Sequence, residues 1–157
     1  MNDWNKSQPI ILKIDENELN FRTKNEKLDK TLSGNEVPDL VCIDSVHNIF
    51  KLSDLGTPPF LIYRYSERHC SSCYETELTS LQKYFPKNDH SVVILASYQD
   101  HRNFAIFVKA QSVGLPIYQI EHHRLDWNVE DYGVPYYFIN KLTNGLGFLS
   151  LIRIIYL

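Results

Sequence analysis

Short hydrophobic blocks alternate with polar stretches along the chain, and their lengths predict its secondary structure. Five of these blocks have the length of β-strands. They span residues 40–43, 49–52, 60–65, 91–96 and 116–120. A mostly polar segment separates the first two blocks and predicts a β-hairpin. The fourth block is almost continuously apolar, which is typical of a strand buried in a parallel sheet.

Two other segments have apolar residues at the spacing of a helix. The first follows the third strand block and ends at Pro86, which cannot continue a helix. The second spans residues 101–112. The apolar positions are Leu78, Leu81, Tyr84 and Phe85 in the first segment, and Phe104, Phe107 and Val108 in the second.

The end of the chain predicts a second hairpin. Hydrophobic blocks at 136–139 and 146–152 flank a turn at Thr143, Asn144 and Gly145. Strands that alternate with helices and then finish in a hairpin predict an α/β fold, with a mixed central sheet flanked by helices. Residues 1–36 are polar, apart from a candidate edge strand at 10–14, and we interpret them as an extension preceding one domain at 37–157.

The composition and charge of the chain argue against nucleic-acid binding and against a membrane-spanning segment. The 157-residue chain has a formal net charge of −3 and no basic stripe, so we expect no nucleic-acid partner. The longest apolar stretch, 149–157, contains Arg153 and is too short to cross a bilayer. The N-terminus lacks the apolar run of a signal peptide, although a trimmed export signal or tether would leave the same start.

The chemistry is concentrated in Cys70-Ser71-Ser72-Cys73, which stands between the third strand block and the first helix. Backbone N–H groups and the dipole at a helix start stabilise a thiolate, so we expect Cys70 to be the nucleophile. Two intervening residues bring Cys73 within reach, so it can resolve a mixed disulfide on Cys70. Ser71 and Ser72 add no charge and are candidate substrate contacts. No cofactor is expected beyond the Cys70–Cys73 disulfide.

Several segments together resemble the TlpA/ResA group of thioredoxin-like proteins, which is related to the AhpC/TSA and Redoxin families. The resemblance is carried by the strand that leads into the C-x-x-C motif and by residues 37–40, 52–55 and 132–140. The last of these contains Gly133-Val134-Pro135, similar to the Gly-Val-Pro segment of that group. The 62 residues from Cys73 to Pro135 also fit the strand and helix that the group inserts into the thioredoxin plan.

The resemblance implies a thioredoxin-like fold with an N-terminal β-hairpin extension, and thiol–disulfide oxidoreductase activity on protein thiols or disulfides. It implies that Pro135 is cis, faces the cysteines and keeps metal from Cys70, while the backbone of Val134 binds substrate. It favours an exported, cell-envelope protein, membrane-anchored in some members, and leaves a cytoplasmic location open. The chain ends where the group's last helix would begin, so we expect that helix to be lacking or replaced.

The chain departs from the group at two positions. His69 replaces the tryptophan that usually precedes the first cysteine; it is a candidate substrate contact and, as an imidazolium, would stabilise the thiolate. Arg64 stands where thioredoxins have a buried acid, so the Cys73 proton needs another acceptor. Glu75 and Glu77, in the following helical turn, are the candidates.

The main alternative is a copper- or zinc-handling protein. Cys70, Cys73 and His69, together with His122 and His123, provide ligand types that suit Cu(I) or Zn. The cysteine pair lacks the second pair of ligands that a structural zinc site needs, so no metal ligand is assigned. The third cysteine, Cys42, lies in a strand block and is predicted to be a small buried hydrophobic residue.

Overall fold

A computed structural model of the chain describes residues 38–120, 125, 130, 133–143 and 146–154, with side chains up to residue 140. Its strands are β1 (Val41–Ile43), β2 (Ile49–Lys51), β3 (Phe60–Ser66), β4 (Val92–Ser97), β5 (Ile117–Ile120), β6 (Tyr136–Thr143) and β7 (Leu146–Ile154). Its helices are α1 (Ser71–Tyr84) and α2 (His101–Ala110), with a 3-10 turn at Leu52–Asp54.

The described strands form one mixed sheet in the order β2-β1-β5-β4-β3-β6-β7. The three central strands β3, β4 and β5 are parallel. Antiparallel pairs flank them, with β1 and β2 forming a hairpin on one side and β6 and β7 a hairpin on the other. Both predicted hairpins and the predicted α/β class are therefore confirmed.

Two separate cores pack against the two faces of this sheet. Alternate residues of a strand point to opposite faces, so Ile62 lies in one core while Tyr63 and Tyr65 lie in the other. The Tyr63 side is covered by α1 and α2. The Ile62 side is covered by residues that include Leu52 and Leu55 from the turn after β2.

The predicted helices are present with one difference in packing. Helix α1 ends at Tyr84, just before Pro86. Helix α2 begins at His101, and its N-cap is Asp100, whose carboxylate accepts a hydrogen bond from the Arg102 N–H at 2.8 Å. Leu78, Leu81 and Phe104 are buried as predicted. Tyr84, however, is 74% exposed, because the helix ends there and its last turn extends beyond the core.

Some expectations fall on residues outside the described part of the chain. They include the candidate edge strand at 10–14 and the polar extension at 1–36, so the division into extension and domain stays a prediction. Among the described residues, no helix has the length and hydrophobicity required to span a membrane.

Candidate active site

The C-x-x-C motif lies where the central strand β3 passes into α1. A tight turn follows β3, in which the His69 N–H donates to the Ser66 carbonyl at 2.9 Å. Cys70 is the N-cap of α1, and its carbonyl accepts from the N–H groups of Cys73 and Tyr74. The first turn of α1 contains no acidic residue. The sequence order of strand, cysteine and helix therefore places Cys70 at a helix N-terminus, as predicted.

Cys70 is exposed, and its thiol is acidic for a cysteine. Hydrogen bonding from the Cys73 thiol, then from Ser72, and then from the Cys73 backbone N–H lowers the pKa of Cys70 from 9.0 to about 7. The Ser72 hydroxyl lies 3.0 Å from the Cys70 sulfur. Ser72 thus contributes directly to the site, which its lack of charge concealed in the sequence. Ser71 is exposed beside it.

Cys73 differs from Cys70 in its environment, although both are free thiols. Its side chain is buried beneath the start of α1. Burial raises the pKa of Cys73, and the neighbouring Cys70 raises it further. Since the thiolate is the reactive form, the pair consists of one accessible, easily ionised sulfur and one buried sulfur that holds its proton.

His69 is half-buried and neutral near neutral pH. Its Nδ1 accepts a hydrogen bond from the Ser66 backbone N–H at 3.2 Å, which leaves the ring proton on Nε2. Burial, followed by the positive charge of Arg64, lowers the pKa of His69 from 6.5 to about 4. This environment disfavours an imidazolium at His69, and the stabilisation of the thiolate by His69 stays a prediction.

Arg64 is the charged residue of β3, and it is 1% exposed. Its Nε donates to the Glu130 carboxylate at 2.9 Å, and its other nitrogens donate to Ser97 Oγ, Glu130 and the Tyr65 carbonyl. The Tyr136 hydroxyl donates to the same carboxylate at 2.6 Å. The position that holds a buried acid in thioredoxins thus holds a buried ion pair, with both partners hydrogen-bonded.

A second acidic group lies on the opposite face of the sheet, at α1. Glu77 follows Cys73 by four residues, which places the two side chains on the same side of the helix. Its carboxylate accepts a hydrogen bond from the Tyr137 hydroxyl of β6 at 2.8 Å. The Tyr63 ring packs against Tyr137 with 4.8 Å between ring centroids. Of the two candidate acceptors for the Cys73 proton, Glu77 is the one the fold fixes in place.

The segment 133–135 lies at the edge of the sheet from which the motif emerges. Tyr136 pairs with Arg64 near the end of β3, so Val134 and Pro135, which precede Tyr136, lie toward the end of β3 that leads into the motif. Gly133, at φ +63°, lines a cavity of about 640 Å³ together with His69 and Arg68. Val134 instead packs partly into the core around Ile62, and Pro135 is buried.

The expectation that Pro135 is cis is corrected by the structure. In the described part of the chain the cis peptide bond joins Pro58 and Pro59, and the Val134–Pro135 bond is not cis. The trans form is the ordinary one for an X–Pro bond, by about 0.5–1 kcal/mol. It also continues directly into the extended backbone of β6. Pro135 therefore lies toward the end of β3 that leads into the motif, without the predicted isomer.

The remaining chemical candidates lie away from the pair. Cys42 is fully buried in β1, and burial followed by the charge of Asp39 raises the pKa of Cys42 to about 12. That environment confirms its predicted role as a buried hydrophobic residue. His122 and His123 lie outside the described residues, and within the described ranges no three metal-ligating side chains come together.

Solved structures with the same fold include three bacterial proteins. A domain of a "possible thiol-disulfide isomerase" from Cytophaga hutchinsonii superposes with a TM-score of 0.55 at 15% identity, covering 77% of this chain and 84% of that one. A "putative thiol-disulfide oxidoreductase" from Bacteroides vulgatus gives 0.51 at 17%, covering 77% and 85%. A hypothetical protein from Sinorhizobium meliloti gives 0.51 at 17%, covering 78% and 69%.

Comparison at the level of sequence finds no matching family model and no matching curated protein. At the identities above, the structural likeness concerns the fold. The thioredoxin-like α/β fold expected from the sequence is therefore confirmed.

Proposed function

We propose that this thioredoxin-fold chain is a thiol–disulfide oxidoreductase that acts on protein thiols and disulfides through Cys70 and Cys73. The observation that carries the proposal is the asymmetry of the pair. Cys70 is exposed at a helix N-terminus with its pKa lowered to about 7, whereas Cys73 is buried with its pKa raised. An acidic, accessible thiol attacks first, and a buried neighbour resolves the product.

The reaction takes two exchanges. The Cys70 thiolate attacks a substrate disulfide, forms a mixed disulfide and releases one substrate sulfur as a thiolate. Cys73 then loses its proton and attacks the Cys70 sulfur, which forms the Cys70–Cys73 disulfide and releases the second substrate thiolate. Two electrons pass from the cysteine pair to the substrate disulfide, and the released thiolates take protons from water. The same steps in reverse oxidise a substrate dithiol.

The surroundings of the pair support this chemistry. Ser72 stabilises the Cys70 thiolate through its hydroxyl. The lowered pKa of His69 favours its neutral form, and we assign it to an uncharged contact with the substrate beside Cys70. We assign the backbone of Val134 and the exposed Ser71 to contacts with the substrate chain, and Pro135 to the shape of the site. The start of β6 beside the end of β3 supports this assignment.

We further propose that the protein works in the cell envelope, after loss of an export signal or attached by a tether. This proposal is supported by the resemblance of its motifs to the TlpA/ResA group. Copper or zinc handling stays the alternative prediction, because His122 and His123 lie outside the described residues.

Trapping of the mixed disulfide tests the mechanism. Cys73→Ser retains the nucleophile and lacks the resolving thiol, so it should accumulate a covalent adduct with a peptide disulfide, detected by mass spectrometry of the intact protein. Cys70→Ser should form no adduct at neutral pH, because the buried Cys73 holds its proton. Cys42→Ser in the wild-type background is the matched control and should leave exchange unchanged.

Either of two results would overturn the proposal. One is an adduct on Cys73 in Cys70→Ser that forms as fast as the adduct on Cys70. The other is the absence of adducts from metal-free protein together with tight copper or zinc binding that protects both thiols from alkylation, which would establish the metal-handling alternative.

A further inference from the structure

The Tyr63 hydroxyl is an unusual group in the core beneath α1. Tyr63 is fully buried, and its hydroxyl has no hydrogen-bond partner among the described residues. Buried polar groups in native proteins nearly always have a partner, and the exceptions, here the Tyr63 hydroxyl and Asn140 Oδ1, reflect strain, a bound water or ion, or a redox or catalytic role. The neighbouring Tyr65, by contrast, has its hydroxyl 3.4 Å from that of Tyr98. The unpartnered hydroxyl therefore calls for an explanation specific to Tyr63.

The surroundings of Tyr63 are those of the resolving cysteine. Its ring packs on Tyr137, whose hydroxyl donates to Glu77, and Glu77 shares a helix face with Cys73. Burial raises the pKa of Tyr63, and Tyr137, Glu77 and Cys73 raise it further, in that order, because each lies close to the hydroxyl. Ring packing and one hydrogen bond thus connect Tyr63 to Glu77, and the charge of Cys73 acts on the Tyr63 hydroxyl.

Resolution of the mixed disulfide needs an acceptor for the Cys73 proton. The buried acid that serves thioredoxins is replaced here by Arg64, which points to the other face of the sheet and is engaged with Glu130. Cys73 and Glu77 lie four residues apart on one helix face, but the Glu77 carboxylate is held by the Tyr137 hydroxyl, so a bridging group would help to carry a proton from Cys73 to Glu77. The Tyr63 hydroxyl is a donor and an acceptor in the same group.

We propose that Tyr63 relays the Cys73 proton to Glu77 during resolution, and that Tyr137 positions Glu77 for this transfer. This inference rests on the proposed function. The Tyr63 oxygen takes the proton of the Cys73 thiol while its own proton passes to the Glu77 carboxylate. The products are a Cys73 thiolate, a protonated Glu77 and an unchanged Tyr63, whose hydroxyl now donates to the thiolate.

The thiolate then attacks Cys70 and expels the substrate thiolate, so the electron balance is that of the proposed exchange. The Tyr63 hydroxyl lacks both partners in the reduced protein. Catalytic hydrogen bonds are often long in a resting enzyme and shorten in the reacting complex. The unpartnered hydroxyl is accordingly the resting form of the relay.

A two-step reaction of the full chain with an aromatic disulfide, 5,5′-dithiobis(2-nitrobenzoate), isolates the relay. In a Cys42→Ser background, attack by Cys70 releases one coloured thiolate, and resolution by Cys73 releases the second. We expect Tyr63→Phe and Glu77→Gln each to slow the second phase at least about 10-fold at neutral pH. This is a modest loss, because general acid–base catalysis typically contributes about 100-fold or more. The first phase should be unchanged in both.

Each variant has a matched control in the same elements. Tyr65→Phe removes a buried hydroxyl from the same strand, and Glu75→Gln neutralises a carboxylate on the same helix. Both should show the two phases of the parent protein. Tyr137→Phe should slow the second phase in the parent but have no further effect on that phase in Glu77→Gln, because Tyr137 acts through Glu77. A merely structural role of Tyr137 would slow both proteins equally.

The pH dependence of the second phase provides a further readout. Besides Cys73 and Glu77 themselves, the titratable groups that face Tyr63 are Tyr137 of β6, Tyr74 of α1 and Tyr65 of β3, with Tyr98 packed against the same core. Around neutral pH we expect the Glu77→Gln variant to resolve faster as pH rises, because hydroxide is then left to remove the Cys73 proton. The parent protein, with its internal acceptor, should depend less on pH.

The outcomes separate the relay from the proposed function. If the second phase of Tyr63→Phe matches that of Tyr65→Phe, the relay is wrong while the exchange reaction stands. If the parent protein shows no first phase at all, the proposed function itself is wrong. If Glu75→Gln slows resolution as much as Glu77→Gln, the carboxylate has been misassigned and the inference is overturned.

Discussion

Neighbouring residues of one strand build two different polar clusters on the two faces of the sheet. Arg64 faces the core around Ile62. Its guanidinium donates to Ser97 and to its counter-ion Glu130, and Glu130 also accepts a hydrogen bond from the Tyr136 hydroxyl. Tyr63 faces the core beneath α1, where Glu77 is half-buried and the Tyr63 hydroxyl has no partner among the described residues. The first cluster is saturated with hydrogen bonds and the second is not.

The difference distinguishes buried polar groups that support the fold from buried polar groups that take part in the reaction. A buried ion pair is tolerated when every charge is met by hydrogen bonds, and removal of one partner then leaves an uncompensated buried charge. A buried group without a partner costs stability, so its presence beside a reactive thiol points to a role in the reaction. We therefore expect substitutions in the Arg64 cluster to change stability most and those in the Tyr63 cluster to change kinetics most.

The largest effect should follow from breaking the buried ion pair. Glu130→Ala leaves the Arg64 charge buried and unpaired, so we expect a loss of about 3–5 kcal/mol in the free energy of unfolding. Glu77→Ala removes one hydrogen bond from a half-buried carboxylate and should cost only about 1 kcal/mol. Urea unfolding of both variants measures this difference. Equal losses of unfolding free energy in the two variants would contradict the view that the Arg64 cluster supports the fold more than the Tyr63 cluster does.

The same substitution on the two faces should have opposite signs. Tyr136→Phe removes a hydroxyl that donates to the Glu130 carboxylate, so it should destabilise the protein by about 1.5–3 kcal/mol. Tyr63→Phe removes a hydroxyl without a partner and should leave the protein as stable as before or about 1 kcal/mol more stable. A Tyr63→Phe variant that unfolds as readily as Tyr136→Phe would show that the Tyr63 hydroxyl is satisfied in solution.

A smaller effect concerns the acidity of Cys70. Its alkylation rate should rise through about pH 7 and level off above, because the thiolate is the reactive form. Cys73→Ala should shift the midpoint upward more than Ser72→Ala, since the Cys73 thiol contributes most to the lowered pKa and Ser72 comes second. Ser71→Ala is the control and should leave the midpoint in place. The reverse order of Cys73→Ala and Ser72→Ala would contradict this assignment.

The smallest effect is the pH dependence contributed by His69. The pKa of His69 is about 4 in the folded protein, against an ordinary value of 6.5, so the unfolded chain binds this proton first. Stability should therefore fall as the pH decreases from about 6.5 to about 4. His69→Gln should reduce that fall in urea unfolding experiments. An unchanged pH dependence would mean that the pKa of His69 is the same in the folded and unfolded protein.

The local features were readable from the sequence because local chain geometry determines them. The strand, the Cys70 N-cap and α1 follow one another directly, so the reactivity of Cys70 follows from their order. The partner of Arg64 did not follow in this way, because Glu130 lies 66 residues further along the chain. The sequence identified Arg64 as an anomaly, but it gave no signal for where its counter-ion would come from.

The properties that depend on burial were less accessible. The charge of His69 depends on how deeply the side chain is buried and on the nearby charge of Arg64. The sequence of the loop shows neither the burial nor the proximity of Arg64. The resemblance correctly implied the fold, but the implied cis bond at Pro135 is absent, and the contact of Pro135 with the cysteines stays a prediction. Glu75 and Glu77 are equivalent in the sequence, and they are distinguished only once β6 places Tyr137 against the helix.

The most direct test of the central claim is the redox titration of the three cysteines. The reduced, metal-free protein is equilibrated with glutathione buffers, and each thiol is quantified by alkylation and mass spectrometry. The account predicts a reversible two-electron couple confined to Cys70 and Cys73, with Cys42 remaining reduced throughout. Independent oxidation of Cys70 and Cys73, or a disulfide that includes Cys42, would contradict it.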